Sequence, residues 1–162
     1  MRGATCDTGQ TSKSAERQPE TAGRAAPCLV QGITVLKTLL AISLGASLGA
    51  IARWLAGLAF GNICPGLPLG TLAVNLVGGF GIGFALRALE AMPALAPEWR
   101  LFVVTGFLGG LTTFSAFSAE MGALLLQQRI AAALGGIALH VGGSLVAFFL
   151  GVLAFHALWP RG

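Results

Sequence analysis

The sequence predicts an all-α membrane protein of four transmembrane helices with a broken third helix, and three observations carry that prediction. Hydrophobic residues make up 55% of the chain and charged ones only 10%, with a mean hydropathy of +0.80; a water-soluble domain carries about 25% charged residues. The apolar residues fall in four blocks, each at least as long as the ~20 residues that take a helix across a bilayer. The segments between the blocks are short, so no loop can hold a soluble catalytic domain.

Residues 1–31 differ in kind. They are polar, contain Pro19 and Pro27, and show no apolar period, which reads as a disordered cytoplasmic extension. No charged start leads directly into an apolar core and cleavage site, so a secretory signal is not indicated. Cys6, Cys28 and Cys64 stand apart and match no metal or redox spacing. The remaining residues, 32–162, form the transmembrane domain. Its first helix covers 33–60, "ITVLKTLLAISLGASLGAIARWLAGLAF", and its second 67–91, "LPLGTLAVNLVGGFGIGFALRALEA". The third runs over about 99–127 and the fourth over about 130–158. "GNICPGLP", "AMPALAPEW" and "QQRIA" connect them.

The net charge of +4 does not point to nucleic acid, because Arg2, Lys13, Arg17 and Arg24 lie in the polar extension. Beyond it, six basic residues face Glu90, Glu98 and Glu120, and the bases mark helix ends. Lys37, Arg87, Arg100 and Arg161 fall on the side of the termini, against Arg129 and Arg53 on the other. This mild positive-inside bias puts the termini in the cytoplasm and leaves room for insertion both ways.

Glycine is dense, at 24 residues, and recurs as Gly45 and Gly49, Gly79 and Gly83, Gly135 and Gly136, Gly142 and Gly143. Small residues four apart let helices approach closely in lipid. Packing within one subunit accounts for any single pair. A bundle of four helices encloses little space, however, so a pore or cavity is expected between subunits, in a homodimer at least.

Polar side chains at membrane depth need a partner or a task. The third block holds the densest set, "GFLGGLTTFSAFSAE" over 106–120. Three glycines followed by Thr112 and Thr113 disfavour a helix centre, so an unwound turn is expected there. Freed carbonyls are tolerated only where protein, water or an ion satisfies them; a kink sealed by the threonine hydroxyls is the alternative. Phe114 and Phe117, and Ser115 and Ser118, form two neighbouring faces of the following helix. The positive edges of the rings and the serine hydroxyls suit the path of a small anion, with weak, multiple contacts. The alternative is aromatic core packing with serines bonded back to carbonyls. Thr71 and Asn75 add polar groups on helix two, and Arg53 lies toward one end of helix one. His140 and Ser144 share a face of helix four. No nucleophile–base set and no metal-ligand spacing is visible, so an enzyme is not expected.

"GAIARW", "GTLAVNLVGG" and above all "GFLGGLTTFSAFSAE" resemble, in order, the motifs of the Fluc (CrcB) family of microbial fluoride channels, over residues 36–158. The resemblance implies a dual-topology antiparallel homodimer in the bacterial plasma membrane, with two fluoride pores at the subunit interface. It also implies a structural sodium ion at the dimer centre, held by the backbone carbonyls of Gly109 and Thr112. Phe114 and Phe117 match the pore phenylalanines, Asn75 the pore asparagine and Ser144 a pore-facing serine. Arg53 matches the vestibule arginine. His140 departs from the small or amide residue more usual at its position. The main rival, a small dual-topology proton-coupled drug exporter, wants a buried carboxylate in helix one, where this chain has Arg53 and no acid.

Overall fold

A computed structural model describes residues 22–60 and 69–159, with side chains described from residue 32 onward. Residues 1–21, the loop 61–68 and residues 160–162 lie outside the described residues, and with them Cys6, Cys64 and Arg161; so does the side chain of Cys28. The elements in order are α1 (Ala22–Phe60), α2 (Leu69–Ala91), α3 (Pro97–Arg100), a π-helical segment π1 (Leu101–Leu108), α4 (Gly109–Leu111), α5 (Phe114–Leu126) and α6 (Ile130–Leu158). Four spans result: Gly32–Phe60, Leu69–Ala91, Pro97–Leu126 and Ile130–Leu158. The third is assembled from α3, π1, α4 and α5.

Helix α1 starts at Ala22, which corrects the expectation that residues 22–31 belong to a structureless extension. Ala22, Ala25 and Ala26 are the strongest of helix formers. The chain divides into two units, residues 1–33 and 34–162.

Local chemistry sets the element ends. Pro97 opens α3 at the helix start, where its missing N–H costs nothing. Between α5 and α6, the Arg129 N–H reaches back to the Leu124 carbonyl (2.9 Å) and Gln128 takes a φ of 58°. That is a left-handed helix stop, a conformation glycine adopts more readily than glutamine.

Glycine brings the spans together. Gly45 and Gly49 of α1 face Gly106 and Gly110 of span three backbone to backbone. A Cβ at Gly106 would stand 2.9 Å from the Ile42 carbonyl oxygen, and one at Gly110 2.6 Å from that of Ala46. Spans two and four meet in the same way: a Cβ at Gly79 would lie 2.8 Å from the Ser144 oxygen, and one at Gly83 would run into the Phe148 oxygen. Since α2 and α6 run parallel, each of these partners is offset by 65 residues, the offset that separates Asn75 from His140. By contrast, Gly135 and Gly142 have nothing near the place a Cβ would occupy. Among the described residues they serve no close contact.

Among the described residues, two small apolar clusters lie in the interior. Val74, Leu108 and Leu111 pack with Ala52, Ala56 and Phe107, while Phe117, Met121 and Leu124 pack with Ala133. Outside, α1 leaves Leu44, Leu48, Trp54 and Leu58 more than half exposed. In hydrocarbon that exposure carries no penalty, because lipid tails are as apolar as leucine.

Candidate functional site

The site is built on the break in span three. Thr112 (φ −78°, ψ 154°) and Thr113 (φ −149°, ψ 120°) are extended, between α4 and α5. The last helical hydrogen bond before the break runs from the Thr112 N–H to the Leu108 carbonyl, which also accepts from the Thr112 hydroxyl (2.9 Å). The carbonyls of residues 109–112 lie beyond that bond, as the last carbonyls of any helix do. After the break, the Thr113 hydroxyl caps α5 by accepting from the Ala116 N–H (3.2 Å).

Thr113 itself would be left with a bare peptide group in an apolar medium. Asn75 supplies the missing partner. Its Oδ1 accepts from the Thr113 N–H (2.9 Å) and its Nδ2 donates to the Thr113 carbonyl (3.1 Å). One side-chain amide thus replaces the neighbouring strand or turn that an extended residue normally requires. Nδ2 also lies 3.3 Å from Nδ1 of His140, and the His140 ring leans on Phe117 with centroids 4.9 Å apart.

Beside the break runs an open groove of 440 Å³, lined by Asn75, Thr112, Thr113, Phe114, Phe117, His140 and Ser144, with Gly79, Ile82, Val141, Leu145 and Phe148 as its apolar wall. Phe114 projects from the subunit, 78% exposed, while Phe117 is buried beneath it, ring centroids 5.4 Å apart. A mostly apolar wall with a few convergent polar groups is the usual form of a ligand path.

Of the residues singled out from sequence, Asn75, Phe114, Phe117, His140, Ser144 and Thr112 are brought together here. Others are placed elsewhere. Ser115 and Ser118 are exposed on α5 and do not line the groove. The Ser118 hydroxyl donates back to the Phe114 carbonyl (2.8 Å), and Ser115 shares a hydrogen bond with the Thr113 hydroxyl (3.1 Å). Thr71 donates to Oε1 of Glu120, two residues 49 positions apart, while Oε2 is buried with no partner among the described residues. Arg53 is half-buried on α1 and outside the groove. Gly109 is exposed beside the break.

The resemblance matches Asn75 to a pore asparagine. Both of its N–H groups have partners here, one on Thr113 and one on His140. No local motif signals the link, since Asn75 and Thr113 are 38 residues apart. The apolar wall was likewise not singled out from sequence, because an α6 residue such as Leu145 or Phe148 is indistinguishable in composition from a lipid-facing one.

Comparison with known proteins places the chain in a family. A family model described as "CrcB-like protein, Camphor Resistance (CrcB)" matches residues 40–152. A protein of Pseudomonas paraeruginosa named fluoride-specific ion channel FluC is 52% identical over 126 residues, covering 78% of this chain and 98% of its own. A protein of the same name from Tolumonas auensis is 56% identical over 124 residues (76% and 98%). Another from Desulfovibrio desulfuricans is 55% identical over 124 residues (76% and 96%). With its four spans and its broken third helix, this chain belongs to the CrcB family of multi-pass membrane proteins.

Proposed function

We propose that this chain is a fluoride-selective passive channel of the bacterial plasma membrane, and not an enzyme. The observation that carries the reading is its identity of 52–56% to proteins named fluoride-specific ion channels, over nearly their whole length. The groove supplies the physical rationale. Fluoride enters a cell as neutral HF, dissociates, and accumulates as an anion that cannot recross the bilayer; a passive pore lets the membrane potential expel it. Fluoride is more strongly hydrated than chloride, so its path must replace water with close donors. Ring edges of Phe114 and Phe117 and the Ser144 hydroxyl, all on the groove, offer several weak contacts in place of one trapping charge.

The pore is completed by a second copy of the chain. Phe114, Ser115, Ser118 and Gly109 are exposed on the single subunit, and the groove is open along one side. An antiparallel homodimer would roof the groove twice, giving two pores. A structural sodium ion suits the break: Gly109 and Thr112 carry carbonyls beyond the last helical hydrogen bond, and the Thr113 N–H that would otherwise serve Gly109 goes to Asn75. Such hard oxygen donors would hold the ion by Gly109 and Thr112. When bound, it would contribute fixed positive charge and tie the two subunits together.

Liposomes loaded with potassium fluoride, with valinomycin added to let potassium follow, test the reading with a fluoride electrode. The expected result is rapid fluoride release with no proton gradient, no comparable chloride release, and slow release from Phe114→Ile. A proton-coupled exporter would release fluoride only under a proton gradient. Vesicles that retain fluoride, or leak chloride equally, overturn the proposal.

A further inference from the structure

We infer that His140 carries its proton on Nε2, and that this N–H is an anion donor of the groove whose orientation is dictated by the break in span three. The constraint starts at Thr113. Its N–H can only donate and its carbonyl can only accept, so an amide bonded to both is oriented without ambiguity. Asn75 Oδ1 accepts from the one and Nδ2 donates to the other. The remaining hydrogen of Nδ2 is available to His140 Nδ1, 3.3 Å away. Nδ2 is a donor and never an acceptor, so Nδ1 has to accept. A neutral imidazole with an accepting Nδ1 keeps its proton on Nε2. The backbone of span three thereby selects the tautomer of a residue on span four, through one residue of span two.

His140 is 5% exposed overall and lines the groove. Among the described residues no protein group accepts from Nε2, yet the one buried polar side-chain atom cut off without a partner is Glu120 Oε2. The Nε2–H therefore joins Phe117, against which its ring leans, and Ser144, one turn along the same helix face. The tautomer decides the sign of the contact: an Nε2–H attracts an anion, whereas a bare Nε2 lone pair repels it. A neutral donor also attracts without the grip of a full positive charge, as conduction requires.

The donor role rests on the channel reading; the tautomer does not, and the two fail separately. The full chain, labelled with ¹⁵N-histidine and reconstituted in lipid bilayers, is measured by solid-state NMR. It has two histidines, and His156→Gln, at an exposed position near the end of α6, assigns the signals. The expected spectrum at pH 7 shows His140 with a bare Nδ1 and a protonated Nε2, and Asn75→Ala yields a mixture of both tautomers. Sodium fluoride shifts the Nε2–H signal; sodium chloride at the same concentration does not. In the liposome assay, His140→Phe keeps the ring and loses the donor, and slows fluoride release about ten-fold, as expected for one hydrogen bond to a charged group. A protonated Nδ1 or an imidazolium overturns the inference outright. An Nε2–H signal indifferent to fluoride, in channels that still pass fluoride, overturns the donor role. Vesicles of the unmodified protein that hold their fluoride defeat the channel reading and leave the tautomer standing.

Discussion

Spans three and four are both glycine-rich, yet one breaks and the other does not. Span four is a single helix of 29 residues that passes Gly135, Gly136, Gly142 and Gly143 without interruption. Span three stops at Leu111 and restarts at Phe114. Glycine content alone therefore does not unwind a membrane helix. What differs is the supply of partners. At the break, the Thr112 hydroxyl bonds to the Leu108 carbonyl, the Thr113 hydroxyl caps the next helix, and Asn75 takes up both polar groups of the Thr113 peptide. Among the described residues nothing comparable faces these four glycines, whose surroundings are open or apolar side chains. An extended residue persists in hydrocarbon only where protein groups replace water, so the neighbour on span two is as much a cause of the break as the sequence of span three.

That comparison breaks most sharply at Asn75. Asn75→Leu strands one buried N–H and one buried carbonyl, at about 1–3 kcal/mol each. The expected outcome is a stability loss of roughly 2–6 kcal/mol in a detergent thermal-unfolding assay; an unchanged midpoint would show that the break needs no partner. Next in size comes the contact that anchors span three to span one. Gly49→Val drives a side chain into the Phe107 carbonyl and the Leu111 amide, both backbone atoms that cannot swing aside. Overpacking of this kind costs about 1–3 kcal/mol, visible as a lowered unfolding midpoint and a poorer yield of monodisperse protein.

Two smaller changes sharpen the contrast from the other side. Gly142→Ala places a methyl in open space within an unbroken helix, so helix propensity predicts a gain of at most about 1 kcal/mol. If this variant instead dissociates on size-exclusion chromatography, the open face of span four is where the second copy sits. The smallest effect is expected at the turn into span four. Gln128 holds a φ of 58°, a left-handed conformation that costs a non-glycine residue about 1–2 kcal/mol. Gln128→Gly relieves it, and the greater freedom of glycine in the unfolded chain returns part of the gain. A net stabilisation of about 0.5–1 kcal/mol is expected, read as a raised unfolding midpoint with fluoride release unchanged.

Much of the architecture was legible in the residues themselves. Hydropathy blocks located the four spans to within a few residues, apart from the earlier start of α1 at Ala22. The interruption at Thr112 and Thr113 was visible in "GGLTTF", because glycine and β-branched threonine together weaken a helix centre. The pairing of His140 with Ser144 followed from a four-residue spacing, and both line the groove. For the serines of α5 the spacing left two readings open, an anion path or bonds back to carbonyls, and within one subunit Ser118 bonds to its own helix and Ser115 to Thr113. That choice depends on rotamers and on what stands opposite, and a spacing does not contain either.

Composition and period therefore determined that this chain enters a bilayer as four helices and that the third is weak at one point, because burial in hydrocarbon and helix propensity act on each segment alone. Only the tertiary structure decided which polar groups meet: Asn75 with the Thr113 backbone and His140, and Thr71 with Glu120. Those partners are 38 to 65 residues apart in the chain, and what sets them side by side is the register of glycine contacts between spans. That register comes from backbones pressed together in three dimensions, which no local stretch of sequence encodes.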